Sequence, residues 1–110
     1  MKVKRECYGI MRISDGAILC DVANQPIDKY NVTYSDPNCC LNFFWGSTLM
    51  FLLPEDITNE PLYTRNSMQK AINALKNKSI IMQNSNYEHL KIDASKDIKV
   101  VKINEEIEVI

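Results

Sequence analysis

The fold of this chain is decided by the stretch Cys39-Cys40-Leu41-Asn42-Phe43-Phe44-Trp45-Gly46-Ser47-Thr48-Leu49-Met50-Phe51-Leu52-Leu53. It contains the only tryptophan, all three phenylalanines and the densest run of aliphatic residues. Two apolar runs, 41–45 and 49–53, flank the polar segment 46–48. Pro54 ends the second run, because its ring nitrogen has no N–H to donate to a neighbouring strand. The pattern predicts a central β-hairpin that is buried on both faces.

A second hairpin is predicted before this stretch. Apolar residues of one parity alternate with charged residues at the start of the chain: Val3, Cys7, Met11 and Ile13. This period of two predicts a half-buried strand. Asp15-Gly16 then predicts a tight turn, since glycine tolerates the positive φ that such turns need. A return strand is predicted over 17–22, and a further short strand over 30–34.

After the proline-bracketed segment 54–61, which is predicted to cross the surface, the period of the sequence changes. Apolar residues recur at helical spacing: Met68, Ala71, Ile72 and Leu75. Asn66 with Gln69 fits a helix-capping pair, and Asn77 marks the predicted end of the helix. The sequence therefore predicts one amphipathic helix over about 66–77.

The last third of the chain predicts more short strands. They cover Ile80 to Met82, residues 89–93, residues 98–103 with a bulge at Val100-Val101, and a final strand around Ile107. The predicted fold is a single globular domain over 1–110. Its class is α+β, with a mostly antiparallel sheet of about seven to nine short strands and the helix packed on one face.

Charge and composition restrict the function. A formal net charge of −1 argues against a nucleic-acid binder, which normally carries a basic excess. No apolar signal segment follows the basic start, and the central apolar run is too short for a membrane span of about 20 residues. The predicted location is the cytoplasm, where the four cysteines stay reduced. Their spacing fits no zinc pattern, so neither a metal nor a cofactor is predicted.

Few residues indicate catalysis. His89 is the only histidine and the only side chain expected to titrate near neutral pH, and it is more often structural than catalytic. Glu55, Asp56 and Glu60 lie in a polar connection, where solvated acids are expected rather than an acid–base pair. Glycine-rich phosphate loops and nucleophile motifs are absent from the sequence. We therefore expect the chain not to be an enzyme.

In size and charge the chain resembles bacterial inhibitor proteins, such as immunity proteins that neutralise a toxin domain. This resemblance implies a non-enzymatic protein-binding module, immunity-protein or antitoxin-like. The predicted partner-binding residues are acidic strand or turn residues and one aromatic residue: Glu105, Glu106, Glu108, Asp93, Asp97 and Phe44. The acids would attract a basic protein surface by electrostatic steering, and Phe44 would anchor the partner if it is exposed.

Two alternatives remain open at this point. One is a small enzyme that uses His89 with a nearby carboxylate or thiol, possible with any of the four cysteines, Cys39 and Cys40 included. The other is a structural subunit of a larger assembly, in which a sheet edge or an exposed Phe44 completes an oligomer.

Overall fold

The sheet and helix of this protein are seen in a computed structural model that describes residues 1–22, 25–31, 38–40, 49–83 and 97–110. The strands of these ranges are β1 (Lys2–Arg12), β2 (Ile18–Asp21), β3 (Cys39–Cys40), β4 (Leu49–Leu52) and β5 (Ile98–Glu108). One α-helix, α1 (Met68–Gln83), and two 3-10 helices, Ile27–Tyr30 and Pro54–Asp56, complete the described elements. All strand pairs are antiparallel, in the order β3-β4-β2-β1-β5. The predicted α+β class is confirmed, but these ranges form five strands, fewer than the seven to nine predicted.

β1 and β2 form the predicted first hairpin, with Met11 opposite Ile18. Two hydrogen bonds close its turn, from the Gly16 N–H to the Arg12 carbonyl at 2.9 Å and from the Arg12 N–H to the Ala17 carbonyl at 2.8 Å. Gly16 has a φ of 75°, a conformation that a residue with a Cβ rarely adopts. The glycine of the predicted turn is therefore needed for its backbone conformation.

The predicted one-sided burial of β1 is wrong at both of its ends. Val3 and Ile13 are exposed, whereas Ile10, which has the opposite parity, is buried together with Cys7. Because successive residues of a strand point to opposite faces, the middle of β1 is buried on both faces of the sheet. A single alternating pattern cannot describe such a strand.

The segment 61–65 is inserted between β2 and β1 where these strands diverge. On one side, the Tyr63 N–H donates to the Leu19 carbonyl at 3.0 Å. On the other, Arg65 and Tyr8 exchange two backbone hydrogen bonds of 2.8 and 2.9 Å. The connection predicted to cross the surface therefore returns into the sheet, and Glu60, just before this segment, is buried.

Each face of the sheet carries a hydrophobic cluster. The face that α1 covers holds the first cluster: Ile10, Ala17, Leu19, Leu49, Phe51, Tyr63, Leu75 and Ile98. The opposite face holds the second, smaller cluster: Cys20, Val22, Met50 and Leu52, under Tyr30, Ile57 and Leu62. Every residue of β4 is buried, as predicted for the second arm of the central hairpin. Among the described strands, β4 lies between β3 at the edge and β2 in the middle of the sheet. The first arm, 41–45, lies outside the described residues.

The helix is longer than predicted and has a different cap. The Lys70 N–H donates to the Ser67 hydroxyl at 3.1 Å, so Ser67 caps α1 and the predicted cap at Asn66 is wrong. The helix continues past Asn77 to Gln83, so the strand predicted over 80–82 is wrong as well. Neither glycine nor proline stands between Asn77 and Gln83, and nothing in the backbone ends the helix there.

β5 replaces two of the predicted strands. Its register with β1 is continuous from Ile98 opposite Arg12 to Glu108 opposite Lys2, so the predicted bulge at Val100-Val101 is not formed. The strand predicted over 30–34 is wrong at Tyr30, which ends a 3-10 helix, and residues 32–34 and 89–93 lie outside the described ranges. Among the described residues, no helix combines the length and the apolar character needed to span a bilayer.

Candidate functional site

One end of the β1–β5 pair extends beyond the rest of the sheet. β1 pairs with β2 at Met11 and with the inserted segment at Tyr8, both in its second half. Its first half, 2–6, pairs only with 104–108 among the described residues. All of 2–6 is exposed, and so is 104–108 apart from the half-buried Glu105. We call the two segments 2–6 and 104–108 the ribbon.

The ribbon has an apolar face. Val3 lies opposite Ile107, and each is 43% exposed. Next to them, the Val109 N–H donates to the Met1 carbonyl at 2.7 Å, and both of these side chains are exposed. We call Met1, Val3, Ile107 and Val109 the apolar strip. Single exposed apolar residues are ordinary on protein surfaces, but neighbouring ones on a projecting element are typical of binding surfaces.

The other side chains of the ribbon are mostly charged and paired across the strands. Lys2 Nζ lies 3.2 Å from Glu106 Oε1, and Lys102 Nζ lies 3.1 Å from Glu6 Oε1. The hydrogen bond and charge of Glu6 raise the pKa of Lys102. On the face of the apolar strip, Arg5 Nε lies 3.5 Å from Glu105 Oε2. The side chains of these pairs are exposed, apart from the half-buried Glu105, and an ion pair at the surface contributes about 0 to 1 kcal/mol to stability.

The structure brings together three of the predicted partner-binding residues. Glu105, Glu106 and Glu108 all lie on the ribbon, with Glu105 on the apolar face and the other two on the opposite face. Each has a basic residue of β1 beside or opposite it, so the ribbon does not present an uncompensated acidic edge. Asp97 immediately precedes β5, so it lies at the end opposite to the ribbon, where its carbonyl accepts the Ile13 N–H at 2.8 Å. Asp93, Phe44 and His89 lie outside the described residues, as do the side chains of Cys39 and Cys40.

The outer edge of β5 is open in the described part of the chain. Toward β1, the Val109 N–H and the Asp97 carbonyl make backbone hydrogen bonds, and the register between them is continuous. Along a strand, the N–H and C=O groups of successive residues point alternately to one neighbouring strand and to the other. Because Asp97 and Val109 bond to β1, the odd-numbered residues of β5 point toward β1. The N–H and C=O groups of the even-numbered residues, from Ile98 to Glu108, therefore point away from the sheet. No described residue pairs with them.

A cavity of about 410 Å³ is the second candidate site. Buried residues of β4, Met50 and Phe51, form part of its lining. Arg12 also lines the cavity and donates two hydrogen bonds to the Asp15 carboxylate, at 2.9 and 2.6 Å, and one to the Asn38 side chain at 2.6 Å. The Arg12 hydrogen bond lowers the pKa of Asp15 to about 2. The guanidinium also lies 5.1 Å from the centre of the Phe51 ring.

Glu60 is a further lining residue of the cavity and the only buried charged or polar residue among those described. Its carboxylate accepts hydrogen bonds from Lys29 Nζ at 2.7 Å, the Tyr30 hydroxyl at 2.9 Å and the Thr58 N–H at 2.8 Å. The Lys29 and Thr58 bonds hold the pKa of this carboxyl below its ordinary range. Burial, with a smaller contribution from Glu60, raises the pKa of Tyr30 to about 12. The ionised carboxylate is thus stabilised in place, and acid–base chemistry near neutral pH is not indicated.

Sequence reasoning placed Glu60 among solvated acids and missed this network. The signal available was Pro61-Leu62-Tyr63 directly after it, which marks the return of the chain to the core. The cations and anions of the cavity bind one another, so we assign it a structural role. A buried polar atom without a hydrogen-bond partner would point to a missing ligand. Among the described residues, every buried side-chain nitrogen or oxygen has a partner.

The two thiols with described side chains lie in the interior of the protein. Cys7 and Cys20 are free and buried, as predicted for small buried thiols. Burial, with a smaller contribution from Glu60, raises the pKa of Cys20 to about 12. A thiol in this state is a poor nucleophile, because the thiolate is the reactive form. No group of three or more His, Cys, Asp or Glu side chains in the described ranges is placed to hold a metal ion.

Comparisons with known proteins do not assign a function. No protein-family model, no curated protein and no solved structure matches the chain.

Proposed function

We propose that this chain is a non-enzymatic protein-binding module that acts in the cytoplasm. In its specific form the proposal is an inhibitor of a macromolecular partner, as immunity proteins and antitoxins are. One observation carries it: the ribbon extends beyond the sheet and exposes the apolar strip on one face. A projecting two-stranded element with an unburied apolar face is suited to docking against another protein.

The strip supplies a driving force for binding. Full burial of a valine or isoleucine side chain stabilises by about 1.5–3 kcal/mol. Val3 and Ile107 are each 43% exposed, so a partner that covers them obtains part of this free energy by burying their exposed surface. They lie opposite each other on paired strands, and one pocket of the partner can receive both. Clustered anchors of this kind contribute most of the affinity of many interfaces.

The acidic residues of the ribbon define the expected partner. Glu105 lies on the face of the strip, and Glu106 and Glu108 lie on the opposite face of the ribbon. Glu105 and Glu106 form ion pairs with Arg5 and Lys2 near the surface, where such pairs are weak. Basic residues of a partner can replace Lys2 and Arg5 as their neighbours. We therefore expect a partner whose contact surface is apolar at its centre and basic at its rim, and steering of its association by charge.

The test of this proposal is capture of the partner with the tagged full chain, followed by an activity assay of the captured protein. We expect one protein in roughly equal amount, whose activity is lost when the chain is added. Ile107→Lys should weaken binding at least tenfold, because it places a charge in the interface. Ile13→Lys is the matched control, since Ile13 is 50% exposed and lies at the other end of β1.

A folded chain that captures no protein would overturn the proposal, and so would equal binding by the two variants. The charge component has its own test. Neutralising Glu105, Glu106 and Glu108 together should slow association and reduce its dependence on salt. A salt-insensitive association rate, or tight binding after this neutralisation, would remove the acidic residues from the binding surface.

A further inference from the structure

The outer edge of β5 carries charges of opposite sign in its two halves. Lys99 and Lys102 lie in its first half, and Glu105, Glu106 and Glu108 lie in its second. An antiparallel copy of the same edge would therefore meet it with opposite charges facing each other. We propose that the outer edge of β5 pairs with the same edge of a second copy of the chain, which joins two sheets across a two-fold axis. This goes beyond the proposed function, which concerns the binding of a different protein.

The backbone restricts the register of this pairing. Outward-pointing N–H and C=O groups belong to the even-numbered residues, as the Val109 and Asp97 bonds to β1 require. Side chains of directly opposite residues must also lie on the same face of the joined sheet. Even-numbered residues of one copy therefore lie opposite even-numbered residues of the other. The two-fold axis then passes beside one residue of β5, which lies opposite the same residue of the second copy; we say that the pair is centred on that residue.

The charges select one register among these. A pair centred on Lys102, Glu105 or Glu106 places that residue opposite its own copy, and like charges directly opposite each other are destabilising. A pair centred on Ile103 places Lys102 opposite Asn104, and no two charged residues of β5 then lie directly opposite each other. Centring the pair on Asn104 sets Lys102 opposite Glu106 of the second copy, twice by symmetry. Asn104 is exposed and uncharged, as a residue on the symmetry axis should be.

The ion pairs within the chain extend this match across four strands. Glu6 already lies against Lys102, and Lys2 lies against Glu106, on the same face of the ribbon. In the joined sheet the charges would run Glu6, Lys102, then Glu106 and Lys2 of the second copy, with alternating signs. On the other face, Val101 would lie opposite Ile107 of the second copy and extend the apolar strip. Lys102 and Glu106 are 57% and 50% exposed at the side chain, so both are accessible.

The test uses the purified full chain and sedimentation over a concentration series. We expect a dimer whose dissociation constant rises at least tenfold in Lys102→Glu and at least tenfold in Glu106→Lys, because each places like charges opposite each other. Mixing the two variants should restore association, since both contacts between the unlike copies then join opposite charges. Lys99→Glu is the matched control, because residue 99 would face the uncharged Val109 of the second copy.

Three results would overturn this inference: a monomer at all concentrations, dimers of the two variants as tight as those of the wild type, or a mixture that stays monomeric. Circular dichroism of each variant verifies that it is folded, and recovery in the mixture is itself evidence of folding. Because no other protein is present, failure here leaves the proposed function standing. Failure of partner capture by a chain that still dimerises would overturn the proposed function alone.

Discussion

The carboxylate of Glu60 accepts a hydrogen bond from Lys29 Nζ at 2.7 Å, although the Glu60 side chain is 1% exposed and that of Lys29 is 41% exposed. This pair joins the 3-10 helix Ile27–Tyr30 to the connection before the inserted segment. Tyr30 bonds to the same carboxylate and also packs on the second cluster. The buried acid therefore helps to hold the cover of that cluster in place.

Removing this carboxylate should destabilise the fold. Glu60→Ala leaves the Thr58 N–H, the Asn59 N–H and the Tyr30 hydroxyl without their acceptor, and we expect a loss of about 2–4 kcal/mol in the free energy of unfolding. Glu55→Ala, an exposed acid of the same connection, should change it by less than about 0.5 kcal/mol. Urea unfolding monitored by circular dichroism measures both. Equal stabilities of the two variants would contradict the network.

Stability should decrease with acid in a defined range. The pKa of Glu60 lies below its ordinary range and that of Asp15 is lowered to about 2, so both groups bind protons more tightly in the unfolded chain. Their contribution is complete above the ordinary carboxyl value of about 4 and is lost as the pH falls toward the folded-state values. We expect the free energy of unfolding to fall between about pH 5 and pH 2.

The variants Glu60→Gln and Asp15→Asn should each show a smaller decrease over this range, because the substituted residue no longer titrates. Urea unfolding at a series of pH values measures the slope for each chain. A wild-type slope in both variants would show that these two carboxyls do not couple protonation to folding.

The structure and the sequence-based prediction place the N-terminal cap of α1 at different residues. The Ser67 hydroxyl accepts the Lys70 N–H, so Ser67→Ala should cost about 1 kcal/mol. Asn66→Ala removes the cap that the sequence favoured and should change the free energy of unfolding much less. Thermal unfolding followed by helical circular dichroism compares the two. A larger effect at Asn66 would restore the predicted capping pair.

Local patterns predicted the parts of the fold that depend on neighbouring residues. The Asp15-Gly16 turn, the burial of β4 and the existence of one amphipathic helix all follow from signals within a few positions. The strand predicted over 80–82 was wrong because a short apolar run is compatible with a helix as well as a strand, and neither glycine nor proline separates these residues from the start of α1. The sequence predicted two short strands in place of the long β5, because nothing in the sequence of β5 shows that β1 pairs with it over its whole length.

The candidate site was predictable only in part. The acidic residues of β5 were found from the concentration of glutamates near the end of the sequence, but their basic neighbours on β1 are about a hundred positions away in the chain and depend on the register. The burial of Glu60 likewise depends on Lys29 and Tyr30, which a loop sequence does not connect to it. Contacts between distant segments depend on the topology of the fold, which the composition and the hydrophobic periodicity of the sequence do not specify.

Gly9 lies against the end of the Ile103 side chain, where β1 and β5 are paired. A Cβ at this position would lie 2.5 Å from Ile103 Cδ1, so Gly9→Ala forces the end of the Ile103 side chain to move. We expect a cost of about 1 kcal/mol, since overpacking a buried site is destabilising. Ile103→Val removes the Cδ1 atom, and the double variant should therefore be more stable than the sum of the two single changes predicts.

Chemical unfolding of the four chains of this double-mutant cycle measures the coupling between the two positions. Gly16→Ala is the control, because its cost arises from a φ of 75° and no atom lies within 4 Å of the added Cβ. Ile103→Val should leave that cost unchanged. Additive effects at Gly9 and Ile103 would show that Ile103 Cδ1 does not lie against the added Cβ.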